Sequence, residues 1–268
     1  MSTAVQDLTS IERLVRRDRL IASLALGLIT LLAWVYLVRM AASMRAASNE
    51  AEIHAAMGMT NMVAWSWQDS IALFVMWAVM MVGMMLPSAA PIILMVVAVY
   101  RRRGGQQARI STAAFASGYL VAWTGFSAAA ALAQTALHSA ALLSSAMASK
   151  SSVFAGGIFL VAGVYQWLPL KNACLSHCRS PLHFLSREWR EGTRGAFGMG
   201  LRHGLFCVGC CWALMTLLFA AGVMNLIWVA AIAAFVLVEK LLPPGVLVGR
   251  ITGALLAIWG AYLLARNA

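Results

Sequence analysis

The chain alternates long apolar runs with short basic stretches. Residues 1–19 are polar and end in Arg16, Arg17 and Arg19; an apolar run over 20–38 follows. A secretory h-region is about 7–15 residues, so this longer run predicts a first transmembrane helix. A polar loop over 39–70 carries Glu50, Glu52, His54 and Asp69. The second apolar stretch, 71–100, contains Pro87 and Pro91, which are expected to bend or interrupt it. Arg101, Arg102, Arg103 and Arg109 flank a Gly-Gly turn. Further spans are predicted over 110–137 and 152–170, followed by a polar segment over 171–202. The last three are expected at 203–222, 225–240 and 246–265, parted by the turn at Val223, Met224 and Asn225 and by Pro243-Pro244-Gly245. The expected fold is an all-α polytopic transmembrane helix bundle of about seven spans. Residues 1–19 form a cytoplasmic basic N-terminus and 20–268 a single transmembrane helical domain.

Composition agrees with this pattern. Of 268 residues, 62% are hydrophobic and 11% charged, and mean hydropathy is +0.81. Soluble domains carry about 25% charged residues. A single soluble core of this size cannot hide so much apolar surface, so the lipid bilayer is the first expected partner. A net charge of +11 would suggest nucleic acid in a soluble protein. No nucleic-acid motif accompanies it, and a bias of basic residues to one side of the membrane explains it more simply.

That bias predicts orientation. With the N-terminus inside, sixteen Lys and Arg fall on the inner side and four on the outer. The expectation is therefore N-in and C-out, in a multi-pass protein of the cell inner membrane. All five cysteines (Cys174, Cys178, Cys207, Cys210 and Cys211) then lie on or near the cytoplasmic side, where a reducing milieu keeps thiols free.

The candidate chemistry is sulfur chemistry. His203, Cys207, Cys210 and Cys211 occupy roughly 100° of one helical face at 100° per residue. A lone cysteine is usually a small buried hydrophobe. Three within five residues, one turn after a histidine, suit Cu(I) or Zn(II) better. A helix starting near His203 would favour thiolates through its positive end. Cys174 and Cys178 form a C-x-x-x-C in the preceding loop, with His177 between them, and can fold over as extra ligands. Met76, Met80 and Met84 stack at i, i+4 and i+8; Met81 and Met85 form an offset pair. Thioethers bind Cu(I) without losing a proton, and methionine also fills helix-packing gaps. His54, Met57, Met59 and Met62 form a second thioether cluster on the outer side. Glu239 and Lys240 read as a boundary anchor that snorkels to water. Asn225, Gln134 and Gln166 are expected to bond between helices. No Walker A loop, H-E-x-x-H or serine elbow is present, which argues against an ATP-driven pump or an enzyme.

Several blocks resemble one family. They are the run from Trp77 to Ser88, Cys174 to Cys178 with Pro181 and Trp189, His203-Gly204 leading to Cys207-Val208-Gly209-Cys210-Cys211-Trp212, and the pair Glu239-Lys240. Together they look like a family of unknown function catalogued as predicted metal-binding integral membrane proteins. The resemblance covers roughly 70–260 and implies metal binding without a reaction.

The leading expectation is a soft-metal protein, with copper(I) as cargo, acting in transport, delivery or homeostasis. His203, Cys207, Cys210 and Cys211 form the main site, Cys174 and Cys178 are mobile ligands, and Met80 and Met84 line the route. Softness that rises toward the cytosol suits uptake or buffering. A metallochaperone or metalloenzyme is the expected protein partner. Two other readings stand beside this one. One is a membrane thiol-disulfide oxidoreductase using Cys207/Cys210 and Cys174/Cys178. The other is a structural zinc site in a scaffold or assembly factor.

Overall fold

The computed structural model describes residues 2–56, 67–103, 107–139 and 151–266, and among these all regular structure is α-helical. The helices are α1 (Ser2–Ala56), α2 (Trp67–Arg102), α3 (Ala108–Ser139), α4 (Ser152–Tyr165), α5 (Pro169–Arg179), α6 (Pro181–Glu188), α7 (Gly192–Ala221), α8 (Leu226–Leu241) and α9 (Gly245–Ala265). Met57, Met59 and Met62 of the expected outer cluster lie outside the described residues, as does the side chain of His54.

Five helices, α1, α2, α3, α7 and α9, are long and apolar enough to cross a membrane. A sixth span arises if α4 and α5, bent by 65° at their junction, count as one. About seven spans were expected. The two discrepant segments are short: α4 has 14 residues and α8 has 16, whereas a helix needs about 20 to cross the hydrocarbon core. Ser151 caps α4 by accepting from the Phe154 N–H at 3.2 Å, and Pro169 restarts the chain as the first residue of α5.

Three further expectations change. The segment 171–202 is not a loop, because α5, α6 and the first turns of α7 occupy most of it. Basic residues and glycines there resemble loop composition, but a 30-residue helix is about 45 Å long and extends beyond a membrane core of about 30 Å. Consequently α7 starts at Gly192, eleven residues before His203. The cysteines stand mid-helix, and the helix-terminus argument for thiolates does not apply to them. Third, Pro87 and Pro91 do not interrupt α2. Pro87 lacks the N–H that would bond the Gly83 carbonyl. That carbonyl instead accepts from the Trp34 indole N–H of α1 at 3.3 Å.

Close packing sets the centre of the bundle. α3 and α7 pack most extensively, followed by α4 with α9. At the α3–α7 crossing a side chain on Gly200 would run into the Phe115 backbone, so the two helices meet main chain to main chain. Trp77, Met80, Met81, Met84 and Met85 fill the space between α2 and its neighbours. Gln134 accepts from Trp77 Nε1 at 2.6 Å, an interhelical bond of the expected kind. Asn225 instead caps α8, accepting from the Ile227 N–H at 3.2 Å.

Candidate metal centre

The centre forms where α2, α3, α5, α7 and α8 meet. From α7 come His203, Cys207, Cys210 and Cys211, all buried. All five cysteines are free thiols. Mid-helix thiols bond back along their own turn: Cys210 Sγ donates to the Cys207 carbonyl at 3.1 Å, and Cys211 Sγ does so at 2.8 Å. Cys207 Sγ turns away, toward Lys240 Nζ at 2.9 Å and the Tyr119 hydroxyl at 3.1 Å.

The α5 thiols arrive over this face. Cys178 Sγ lies 4.0 Å from Cys210 Sγ. Cys174 sits against Gly209, and any Cβ at 209 would be 2.9 Å from its sulfur. The glycine within C-x-G-C thus leaves a notch that Cys174 fills. Both α5 thiols are half-buried, whereas the three α7 thiols are buried.

α5 is tied to the bundle near both ends. Lys171, one of its first residues, pairs with Glu239 of α8 and donates to Gln166 at the end of α4. At its other end, Arg179 donates to the Leu242 and Pro243 carbonyls at 2.8 and 2.9 Å. The boundary-anchor expectation for Glu239 and Lys240 is therefore wrong, since both are buried at 2% and 6% exposure. They snorkel nowhere because partners inside the bundle satisfy them. Glu239 faces Lys171, and Lys240 donates to Cys207 and, at 3.1 Å, to Ser88 Oγ. Gln166 joins this network rather than a simple helix–helix bond.

The methionine that reaches the thiols is Met85, whose sulfur lies 4.0 Å from Cys211 Sγ. Met80 and Met84 are buried in the core of α2. The His203 ring lies beside Tyr119 and Phe184, with centroids at 5.9 and 5.1 Å, and its Nδ1 is buried without a hydrogen-bond partner among the described residues.

Among the described residues, no three His, Cys, Asp or Glu side chains form a closed metal cage. Cys178 approaches Cys210, and Cys211 approaches Met85, each at 4.0 Å, so sulfurs stand close without converging on one point among the described residues. The donor set fits a soft monovalent ion, because thiols, a thioether and a partnerless imidazole nitrogen line the same region.

A family described as copper chaperone, PpoB2, matches residues 74–263. The chain belongs to this family. The match covers well over half of the chain, includes α5 and α7 with all five cysteines, and leaves α1 outside. It agrees with the metal-binding family that the motifs resembled. No curated protein and no solved structure matches the chain.

Sequence reasoning missed Tyr119, Ser88 and Met85 as neighbours of the thiol cluster and its lysine, and Lys171 as the partner of Glu239. It had a signal for Lys240. An ionisable residue at the end of an apolar helix marks function by default when it faces the bundle interior.

Proposed function

We propose that this protein is an integral inner-membrane copper(I) carrier that takes the ion into a buried thiolate site and passes it on. His203, Cys207, Cys210 and Cys211 form the main site, and Cys174 and Cys178 are the more exposed ligands through which copper exchanges. Met85 contributes a thioether, and Met80 and Met84 line the route through the bundle.

The observation that carries this reading is the approach of Cys178 on α5 to Cys210 on α7 at 4.0 Å. Two cysteine motifs 29 positions apart at their nearest members meet here, and apolar side chains would pack this junction without supplying sulfur. Cu(I) is satisfied by two or three sulfur ligands. The half-buried α5 pair and the buried α7 triad form a series from access to storage. Lys240 supports the charge balance, since two thiolates around Cu(I) carry a net negative charge that its ammonium offsets. Copper is cargo here, and a metallochaperone or metalloenzyme is its donor or recipient.

The topology consistent with this is seven-pass, with α4–α5 as one bent span and α8 as a short one. Leaving aside the buried Lys171 and Lys240, a bias of fourteen inner-side basic residues to four supports an N-terminus inside and a C-terminus outside. The thiol cluster then lies toward the cytosol, and uptake or buffering is the direction it suits.

Cu(I) titration of the detergent-purified chain against a chromophoric chelator tests the site. The wild-type protein should bind Cu(I), and Cys207→Ser/Cys210→Ser/Cys211→Ser should lose that binding. Cys174→Ser/Cys178→Ser should slow transfer to the chelator and weaken affinity less. Copper binding by the triple variant at wild-type affinity, or stoichiometric zinc in place of copper, would overturn the reading.

A further inference from the structure

We propose that a cavity between α1 and α2, at their basic ends, binds the phosphate headgroup of an anionic membrane lipid. The cavity has a volume of about 800 Å³, and its lining includes Arg16, Arg19, Arg102, Glu12, Leu20 and Leu94. Small-molecule sites span roughly 300–1,000 Å³, so a headgroup with the upper part of its chains fits.

Charge selects the ligand class. Three guanidiniums face one carboxylate in this lining, which leaves an excess of positive charge. Three neighbouring arginines are already engaged. Arg101 and Arg109 both hold the buried Asp18, and Arg103 pairs with Glu191 at 3.6 Å and lies over the Trp189 ring. Among the described residues, Arg16, Arg19 and Arg102 form no ion pair. A phosphate oxygen is the natural acceptor for paired guanidiniums, and basic pockets between transmembrane helices recognise lipid headgroups.

Position selects the lipid over a free ion. Arg16 and Arg19 end the polar stretch, and Leu20 begins the apolar run. Leu20 is 59% exposed. A basic rim meets an apolar wall at the depth where headgroups give way to acyl chains. Inorganic phosphate has no use for that wall. Most of the helix concerned is left uncovered by the rest of the bundle: only 11% of the apolar stretch of α1 is buried, against 56% for α7. A bound lipid fills the gap between α1 and the bundle. This inference is independent of the copper reading, and α1 lies outside the matched family region.

Native mass spectrometry of the full chain from mixed micelles tests it, with phosphatidylglycerol and phosphatidylcholine as probes. The wild-type protein should retain phosphatidylglycerol at least about tenfold over phosphatidylcholine, since only the former carries a net negative headgroup. Arg16→Gln/Arg19→Gln/Arg102→Gln should abolish that preference. Arg187→Gln/Arg194→Gln, exposed arginines elsewhere, should keep it. Equal retention of both lipids, or an unchanged preference in the triple variant at wild-type helicity, overturns the proposal. Displacement of the lipid by millimolar inorganic phosphate overturns the lipid as occupant. Should the triple variant fail to fold, the same substitutions to Lys provide the test: they preserve the charge and should preserve the preference, and its loss in a folded Lys variant overturns the proposal.

Discussion

Lys171 and Lys240 are both buried, yet their surroundings differ in kind. Lys171 faces a carboxylate, Glu239, and an amide, Gln166. Lys240 faces a thiol, Cys207, and a hydroxyl, Ser88. The two environments are linked through consecutive residues of α8. Glu239 and Lys240 project about 100° apart on a helix, so one turns toward α4, α5 and α9 and the other toward α2 and α7. A charge-paired carboxylate in a dry interior cannot be exchanged without stranding its partner. A thiol beside an ammonium can give its sulfur to a soft ion while the ammonium stays as counter-charge. The first lysine therefore serves architecture, and in the copper reading proposed above the second serves cargo.

Breaking the architectural side should cost most. Lys171→Met strands Glu239 and is expected to destabilise the protein by about 3–5 kcal/mol, read as a loss of thermal stability in detergent. Lys171→Met/Glu239→Met removes both charges and should recover much of that loss. A double variant as unstable as the single one would show that Lys171 and Glu239 do not act as a pair. Next in size is Cys207→Ser, expected to weaken Cu(I) about 100-fold, near 2.7 kcal/mol, with little change in melting temperature. Lys240→Met should lower Cu(I) affinity about tenfold, or 1.4 kcal/mol, and Lys240→Arg should restore part of it. Equal affinities for Lys240→Met and wild type would erase the distinction between the two lysines. The smallest effect is Met85→Leu, a near-isosteric change that should leave folding intact and weaken Cu(I) about threefold, or 0.7 kcal/mol. If Met80→Leu or Met84→Leu has the larger effect, the thioether contribution comes from the other face of α2.

How much of this was legible in the chain differs between helices and contacts. Apolar runs located all five long spans, because a membrane helix is written in about 20 consecutive residues. The shared face of His203, Cys207, Cys210 and Cys211 was also readable, since helical periodicity alone places it. The start of α7 was not, because Arg194, Arg202 and several glycines lie on helical turns that extend past the apolar region and resemble a loop. Nor was the choice of Met85 over Met80 and Met84. The offset pair and the main stripe sit on one helix, and only the angle at which α7 crosses α2 decides which sulfur meets Cys211. The burial of Lys240 depended on a partner 33 residues away that sequence spacing does not announce.

The bond between Trp34 and Gly83 carries a consequence for how the N-terminal helix joins the rest. In an ordinary helix interior a carbonyl bonded within the ladder offers a neighbour only its second lone pair, not a wholly free acceptor. Proline at 87 creates one, and α1 uses it as a docking point. The residue that weakens α2 along its axis therefore supplies its lateral grip on α1, and restoring a regular ladder there would loosen the attachment.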